Sequence, residues 1–123
     1  MLIDFAPRTQ FAVDPVRAGT SVVRVAGELT AATSPRLRRL LDRAADQEGG
    51  PVRLLVDLAN VCVFDVEGVE ALRAARDRLG RTGVNLVVAG LAGHRRALPG
   101  RIRTALDGFE TVADLEDALA GTR

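Results

Sequence analysis

Two carboxylates, Asp65 and Glu67, stand just ahead of Gly68, where an apolar run gives way to a helical pattern. A carboxylate so placed can accept hydrogen bonds from the free backbone N–H groups of a helix's first turn. It also complements the positive end of the helix dipole. Asp65 is the expected N-cap and Glu67 a first-turn acid. Cys62 and His94 are the residues suited to nucleophilic chemistry, but nothing in the sequence places them together and no third residue orients them. Cys62 lies in the apolar run 61–64, so burial and inertness are expected. One His and one Cys cannot close a zinc site without several carboxylates. No glycine-rich phosphate loop is present, so no cofactor is expected. His94, Arg95, Arg96, Arg101 and Arg103 form a local basic cluster, either a solvated loop or a contact for an acidic surface or phosphate.

These residues need a frame. Leu54, Leu55 and Val56 form a continuous apolar run, which suits a strand covered on both faces. Residues 57–60 read as a break and 61–64 as a second buried run. After Asp65, Val69, Leu72, Ala75 or Arg76, and Leu79 recur at near-helical spacing, leaving Glu70, Arg73, Asp77 and Arg78 for water. Upstream, residues 10–13 and the β-branched stretch 21–26 read as a hairpin, with turn chemistry between them. Residues 30–33 make a small polar connection. Ser34 as N-cap and Pro35 as first helical residue start a helix whose apolar stripe is Leu37, Leu40, Leu41, Ala44 and Ala45. Gly49, Gly50 and Pro51 stop it. Residues 84–89 are another buried strand. The alternation from 21 to 89 predicts parallel neighbours, with the hairpin adding an antiparallel partner. Further on come a loop over 89–100, a short helix over 102–106, a brief edge strand over 109–112 and a last helix over 113–120. Met1 to Phe5 is an edge strand or a loose terminus.

Composition narrows the function. The 123 residues suit one domain, 1–123, with its core over about 10–120. A net charge of +1 argues against direct nucleic-acid binding. All basic residues are Arg, which excludes lysine nucleophiles, and there is no Trp or Tyr for base stacking. A single cysteine fits a reducing compartment, and no apolar run has the length of a membrane span. The expectation is a cytoplasmic protein without membrane insertion. An exposed N-terminal edge strand would permit a homodimer.

One ordered set of residues is familiar. Gly27-Glu28-Leu29 ends a strand before a capped helix. Leu55-Val56-Asp57-Leu58 and Val61 follow, then Phe64-Asp65 and Gly68-Val69 opening a helix, then Gly83 with Leu86-Val87-Val88. This resembles the STAS domain, the family of the anti-sigma factor antagonists. The resemblance implies an α/β fold: a mixed sheet, antiparallel N-terminal hairpin plus parallel strands, with helices mainly on one face. It implies no enzyme but a regulatory module that binds a serine kinase-type anti-sigma factor. In the family that kinase phosphorylates a serine in an Asp-Ser-Ser-Gly turn, and the phosphate weakens the complex. The turn here is Asp65-Val66-Glu67-Gly68, with Glu67 at the modified position and no hydroxyl in the turn.

Partner-binding residues implied by the resemblance are Asp65, Val66, Glu67, Gly68 and Val69, with Thr30 and Thr33 from the loop at the neighbouring strand end. Asp65 then either caps its helix or helps position a bound kinase's ATP or Mg²⁺. Phosphoserine carries roughly −1.5 to −2 charges and three acceptor oxygens, which Glu67 imitates in part. Glu67 thus mimics the low-affinity state, contacts a partner cation constitutively, or only favours the helix start. Some small STAS proteins instead serve the ATPase of an ABC-type lipid transporter, and others sense a ligand within a larger signalling assembly.

Overall fold

The computed structural model describes residues 9–17, 19–46, 52–91, 93–94 and 98–112, with the side chains of 15–17 left aside. The expected terminal strand at 1–5, the helix stop at 49–51 and the last helix over 113–120 lie outside the described residues. Strands β1 (Gln10–Arg17) and β2 (Thr20–Leu29) form the antiparallel hairpin. Helix α1 (Ser34–Ala45), strand β3 (Arg53–Phe64), helix α2 (Val66–Gly80), strand β4 (Asn85–Ala89), helix α3 (Gly100–Leu106) and strand β5 (Thr111–Val112) follow. Sheet order is β1-β2-β3-β4-β5. From β2 onward every pairing is parallel.

Register explains the core. Val23, Val56 and Val88 line up across β2, β3 and β4, as do Val22, Leu55 and Val87 one position earlier. Successive strand residues point to opposite faces. The first row therefore meets the helices, with Leu37 and Leu41 of α1, Val69, Leu72 and Leu79 of α2, and Ile102 and Leu106 of α3 in the same buried cluster. The second row forms a smaller buried cluster on the other face, with Val112 against it. Burial of each large aliphatic side chain contributes about 1.5–3 kcal/mol before the cost of ordering it. The helical stripes read from spacing are the buried ones, Leu40 and Ala45 only partly so.

β3 departs from expectation. Residues 57–60 do not break it; the strand runs unbroken from Arg53 to Phe64. Arg24 and Ala26 of β2 face Asp57 and Asn60, and Gly27 and Glu28 face Val61 and Val63. Each step leaves one extra residue on β3, the signature of a β-bulge. Two bulges turn the alternation into a period of three, with Leu58, Val61 and Phe64 packed inward and the pairs Ala59-Asn60 and Cys62-Val63 exposed. Asp57 supports the first bulge by accepting from the Ala59 N–H at 3.0 Å. Gly90, at φ 83°, packs so close that a Cβ there would lie 2.7 Å from the Ala59 nitrogen.

Helix α1 starts one residue earlier than expected, with Thr33 as N-cap and Pro35 in the first turn. Two side chains expected in water, Arg73 and Arg78, instead tie helices together. Arg73 donates to the Ala105 carbonyl at 2.6 Å and Arg78 to Asp42 at 2.7 Å. Arg76 likewise donates to the Gly108 carbonyl at 2.5 Å and stacks over Phe109. No described helix is long and apolar enough to cross a membrane.

Candidate functional site

Parallel pairing of β2 and β3 ends both strands at one level, Leu29 opposite Phe64. The chain leaves β2 into residues 30–33 and leaves β3 into Asp65, so the two connections lie side by side. Asp65 joins them. Its Oδ1 accepts from the Gly68 N–H at 2.6 Å, the N-cap bond of α2. Its Oδ2 accepts from the Ala31 N–H of the β2–α1 connection at 3.2 Å. Its own N–H donates to the Leu29 carbonyl at 3.2 Å. One carboxylate thus fixes a helix mouth and the neighbouring loop together.

Gly68 allows this closeness. A Cβ there would lie 2.5 Å from the Leu29 carbonyl carbon and 2.7 Å from the Thr30 nitrogen, with the Leu29 carbonyl oxygen closer still. Glu67, one residue before, is exposed. Its carboxylate has no ion-pair or hydrogen-bond partner among the described residues. It stands free in the first turn, where the helix dipole favours a negative charge.

The other expected contact residues divide by burial. Val66 and Asp65 are half-buried, while Gly68 and Val69 are buried beneath the turn. Thr30 and Thr33 are also buried, at 8% and 9% exposure. The Thr33 hydroxyl donates to the Glu28 carbonyl at 2.9 Å and accepts from the Thr30 N–H at 3.1 Å, so it shapes the loop from inside. The loop's outward residues are Ala31 and Ala32, which sequence reasoning passed over because alanine carries no chemical signal. The Thr30 hydroxyl has no hydrogen-bond partner among the described residues.

Cys62 corrects an expectation. It is exposed, because the second bulge turns it outward with Val63. A cavity of about 270 Å³ is lined by Cys62, Val63, Phe64, His94, Leu98 and Pro99, so the fold brings the thiol and imidazole to one place. They do not pair with each other. The thiol donates to the Gly27 carbonyl at 3.1 Å. His94 Nε2 lies 2.9 Å from the Ala59 carbonyl, and a carbonyl only accepts, so Nε2 carries a proton. His94 also meets Phe64 edge to face at 5.7 Å. That holds it against β3, whereas Arg101 and Arg103 of the expected basic cluster are exposed on α3; Arg95 and Arg96 lie outside the described residues. We expect one equivalent of a water-soluble disulfide reagent to modify Cys62 in the native protein without unfolding it. Modification only in denaturant would show the thiol to be covered.

Comparison with known proteins decides the family: the STAS domain model matches residues 12–113. The chain belongs to the STAS domain family. Among solved structures, an anti-sigma factor antagonist from Mycobacterium paratuberculosis is 28% identical, with a TM-score of 0.71, covering 94% of this chain and 95% of that one. The phosphorylated form of the Bacillus cell fate determinant SpoIIAA is 18% identical, with a TM-score of 0.69 over 93% of this chain and all of that one (100%). A sulfate transporter family protein from Wolinella succinogenes is 20% identical, with a TM-score of 0.69 and 87% of each chain covered. Comparison with curated protein sequences returns no match. The STAS fold thus accounts for the mixed sheet and for the pairing of the two connections at the ends of β2 and β3. Among the described residues, no group of three or more His, Cys, Asp or Glu is placed to hold a metal ion.

Proposed function

We propose that this STAS domain is a cytoplasmic regulatory module of the anti-sigma antagonist type. It docks a serine kinase-type anti-sigma factor on the mouth of α2 and the adjoining β2–α1 connection. The observation that carries this reading is the free carboxylate of Glu67 at the helix mouth, in the turn where the family places its switchable serine. Asp65 holds that turn against the neighbouring loop. Surface for a partner comes from Glu67, the half-buried Val66 and Asp65, and the small residues Ala31 and Ala32, which let a partner's backbone come close. Gly68, Val69, Thr30 and Thr33 shape the site from below.

Of the readings of Glu67, a standing contact fits best. A carboxylate already engaged at home would have little to offer a partner, whereas this one is unengaged. A partner arginine or lysine facing it would form a charge-assisted hydrogen bond. Phosphate-driven release at this turn is then absent, because no hydroxyl can accept the group. The likeness to the mycobacterial antagonist, at 28% identity over nearly the whole of both chains, favours this reading. The transporter-subunit alternative draws on the fold alone, and a permease and ATPase gene beside this one, rather than a sigma factor and kinase gene, would favour it.

The test is a pull-down from the native cell with wild type, Glu67→Ser and Glu67→Arg, followed by incubation with ATP. Wild type should retain a kinase-type anti-sigma factor and stay bound. Glu67→Arg should weaken retention about tenfold by setting like charges together. Glu67→Ser should bind, take up phosphate and be released. Failure of both wild type and Glu67→Ser to retain any such kinase would end the assignment.

A further inference from the structure

A second surface lies on different elements, on the outer flank of α1. Arg36, Arg39 and Arg43 are three and four residues apart, so they share one side of the helix. All three are exposed. Arg36 is partly engaged: its guanidinium lies 4.9 Å from the Phe11 ring centroid, and it donates to the Thr9 carbonyl at 3.4 Å. Arg39 and Arg43 have no carboxylate or other hydrogen-bond partner among the described residues. The one acid in α1, Asp42, is taken by Arg78 at 2.7 Å, with Arg38 at 4.0 Å.

The placement of Arg36 runs against helix electrostatics. The first turn of α1 carries no acidic residue but does carry Arg36. A helix N-terminus already has about half a positive charge, which cations near it oppose. Arg43 lies in the last turn, where the dipole favours a cation, but no described carboxylate neutralises Arg39 or Arg43.

Beneath the stripe is a cavity of about 260 Å³ lined by Phe11, Arg36, Arg39, Leu40 and Arg43. Phe11 and Leu40 supply apolar surface, and the guanidinium groups supply charge. The cavity opens beside β1, which among the described residues ends the sheet order and contains Pro15, a residue that within sheets is confined to edges, strand starts and bulges. An edge strand presents backbone donors and acceptors to any segment that can pair with them.

We propose that the cleft between α1 and β1 binds an acidic, extended segment of a partner protein, which adds to β1 as a further strand. Strand addition draws affinity from main-chain hydrogen bonds and specificity from pockets for alternate side chains. On the side facing α1, an apolar side chain of that segment fills the space over Phe11 and Leu40. Carboxylates flanking it meet Arg39 and Arg43 as forked pairs. A second copy of this chain fits poorly, because pairing β1 with β1 about a twofold axis sets one arginine stripe beside the other. Nucleic acid fits poorly too: the stripe spans roughly 10 Å of helix, and the ring beside it is already covered by Arg36.

The test uses the full chain and a fluorescein-labelled peptide of alternating Glu and Val, followed by anisotropy at low salt. Wild type should bind saturably, and a Lys/Val peptide should not bind. Arg39→Glu with Arg43→Glu should weaken binding about tenfold or more, whereas Glu67→Ser should leave it unchanged. Both arginines are exposed, so the double variant should keep its fold, and circular dichroism checks this. Arg39→Lys with Arg43→Lys should bind in between. Amide resonances of Phe11, Ala12 and Val13 should shift with wild type and peptide. The assignment is overturned by no binding to wild type, by equal binding to the double variant, by unmoved β1 amides, or by an oligonucleotide of equal charge binding as tightly. Sedimentation as a dimer through β1 in the absence of peptide overturns it as well.

Discussion

Replacing Gly68 with alanine is expected to lower stability by about 3 kcal/mol or more, with the midpoint of thermal unfolding falling on the order of 10 °C. The added methyl would stand 2.5 Å from the Leu29 carbonyl carbon and 2.7 Å from the Thr30 nitrogen. Both are backbone atoms, and no rotamer change can move them aside. Either α2 lifts off the end of β2 or the β2–α1 connection shifts outward. In both cases the Asp65 hydrogen bonds to Gly68 and Ala31 open. Chemical denaturation followed by circular dichroism measures the loss. A Gly68→Ala protein within about 1 kcal/mol of wild type would mean that the helix is not seated so closely.

Asp65→Ala should cost about 2 kcal/mol, near the top of the range for an N-cap, because the carboxylate serves the neighbouring loop as well as its own helix. Its more informative consequence is local. The N–H groups of Gly68 and Ala31 donate to no other described side chain, so both should exchange with solvent faster in the variant. The amide of Leu72, in the second turn of α2, should change only by the global loss of stability. Asp65→Asn should retain part of the effect, since its carbonyl oxygen can still accept one bond. If hydrogen exchange quickens at Gly68 but not at Ala31, the carboxylate is a cap and no link between the two connections.

Much of this architecture was legible in the sequence. The run Leu54-Leu55-Val56 announced a strand buried on both faces, and the register sends Leu55 to one cluster and its neighbours to the other. The apolar stripes of α1 and α2 and the Asp65 cap followed from spacing and residue type. What escaped was set by tertiary geometry. Four apolar residues at 61–64 read as buried, but no local pattern reveals that β3 carries two residues more than β2 needs. Those two residues put Cys62 and Val63 on the surface. The burial of Thr30 and Thr33 has no signature in the sequence, because small polar residues usually mark a surface connection. Here the Thr33 hydroxyl closes the loop onto its own backbone. Arg73 and Arg78 read as the wet side of an amphipathic helix, since their partners, the Ala105 carbonyl and Asp42, lie on other helices. The fold was thus readable wherever periodicity decided it, and the site wherever a cap decided it.

The paired bulges of β3 make chain length at this point act as an angle. Each α-helical residue turns the helix by about 100°, and α2 follows β3 after a single residue, Asp65. Dropping or adding one residue between Asp57 and Phe64 would therefore swing Glu67 to another azimuth, or else turn Val69 and Leu72 away from the sheet. Substitutions at the four residues of this stretch that face solvent are cheap. Insertions and deletions are not, and a variant library over this segment should hold its length constant.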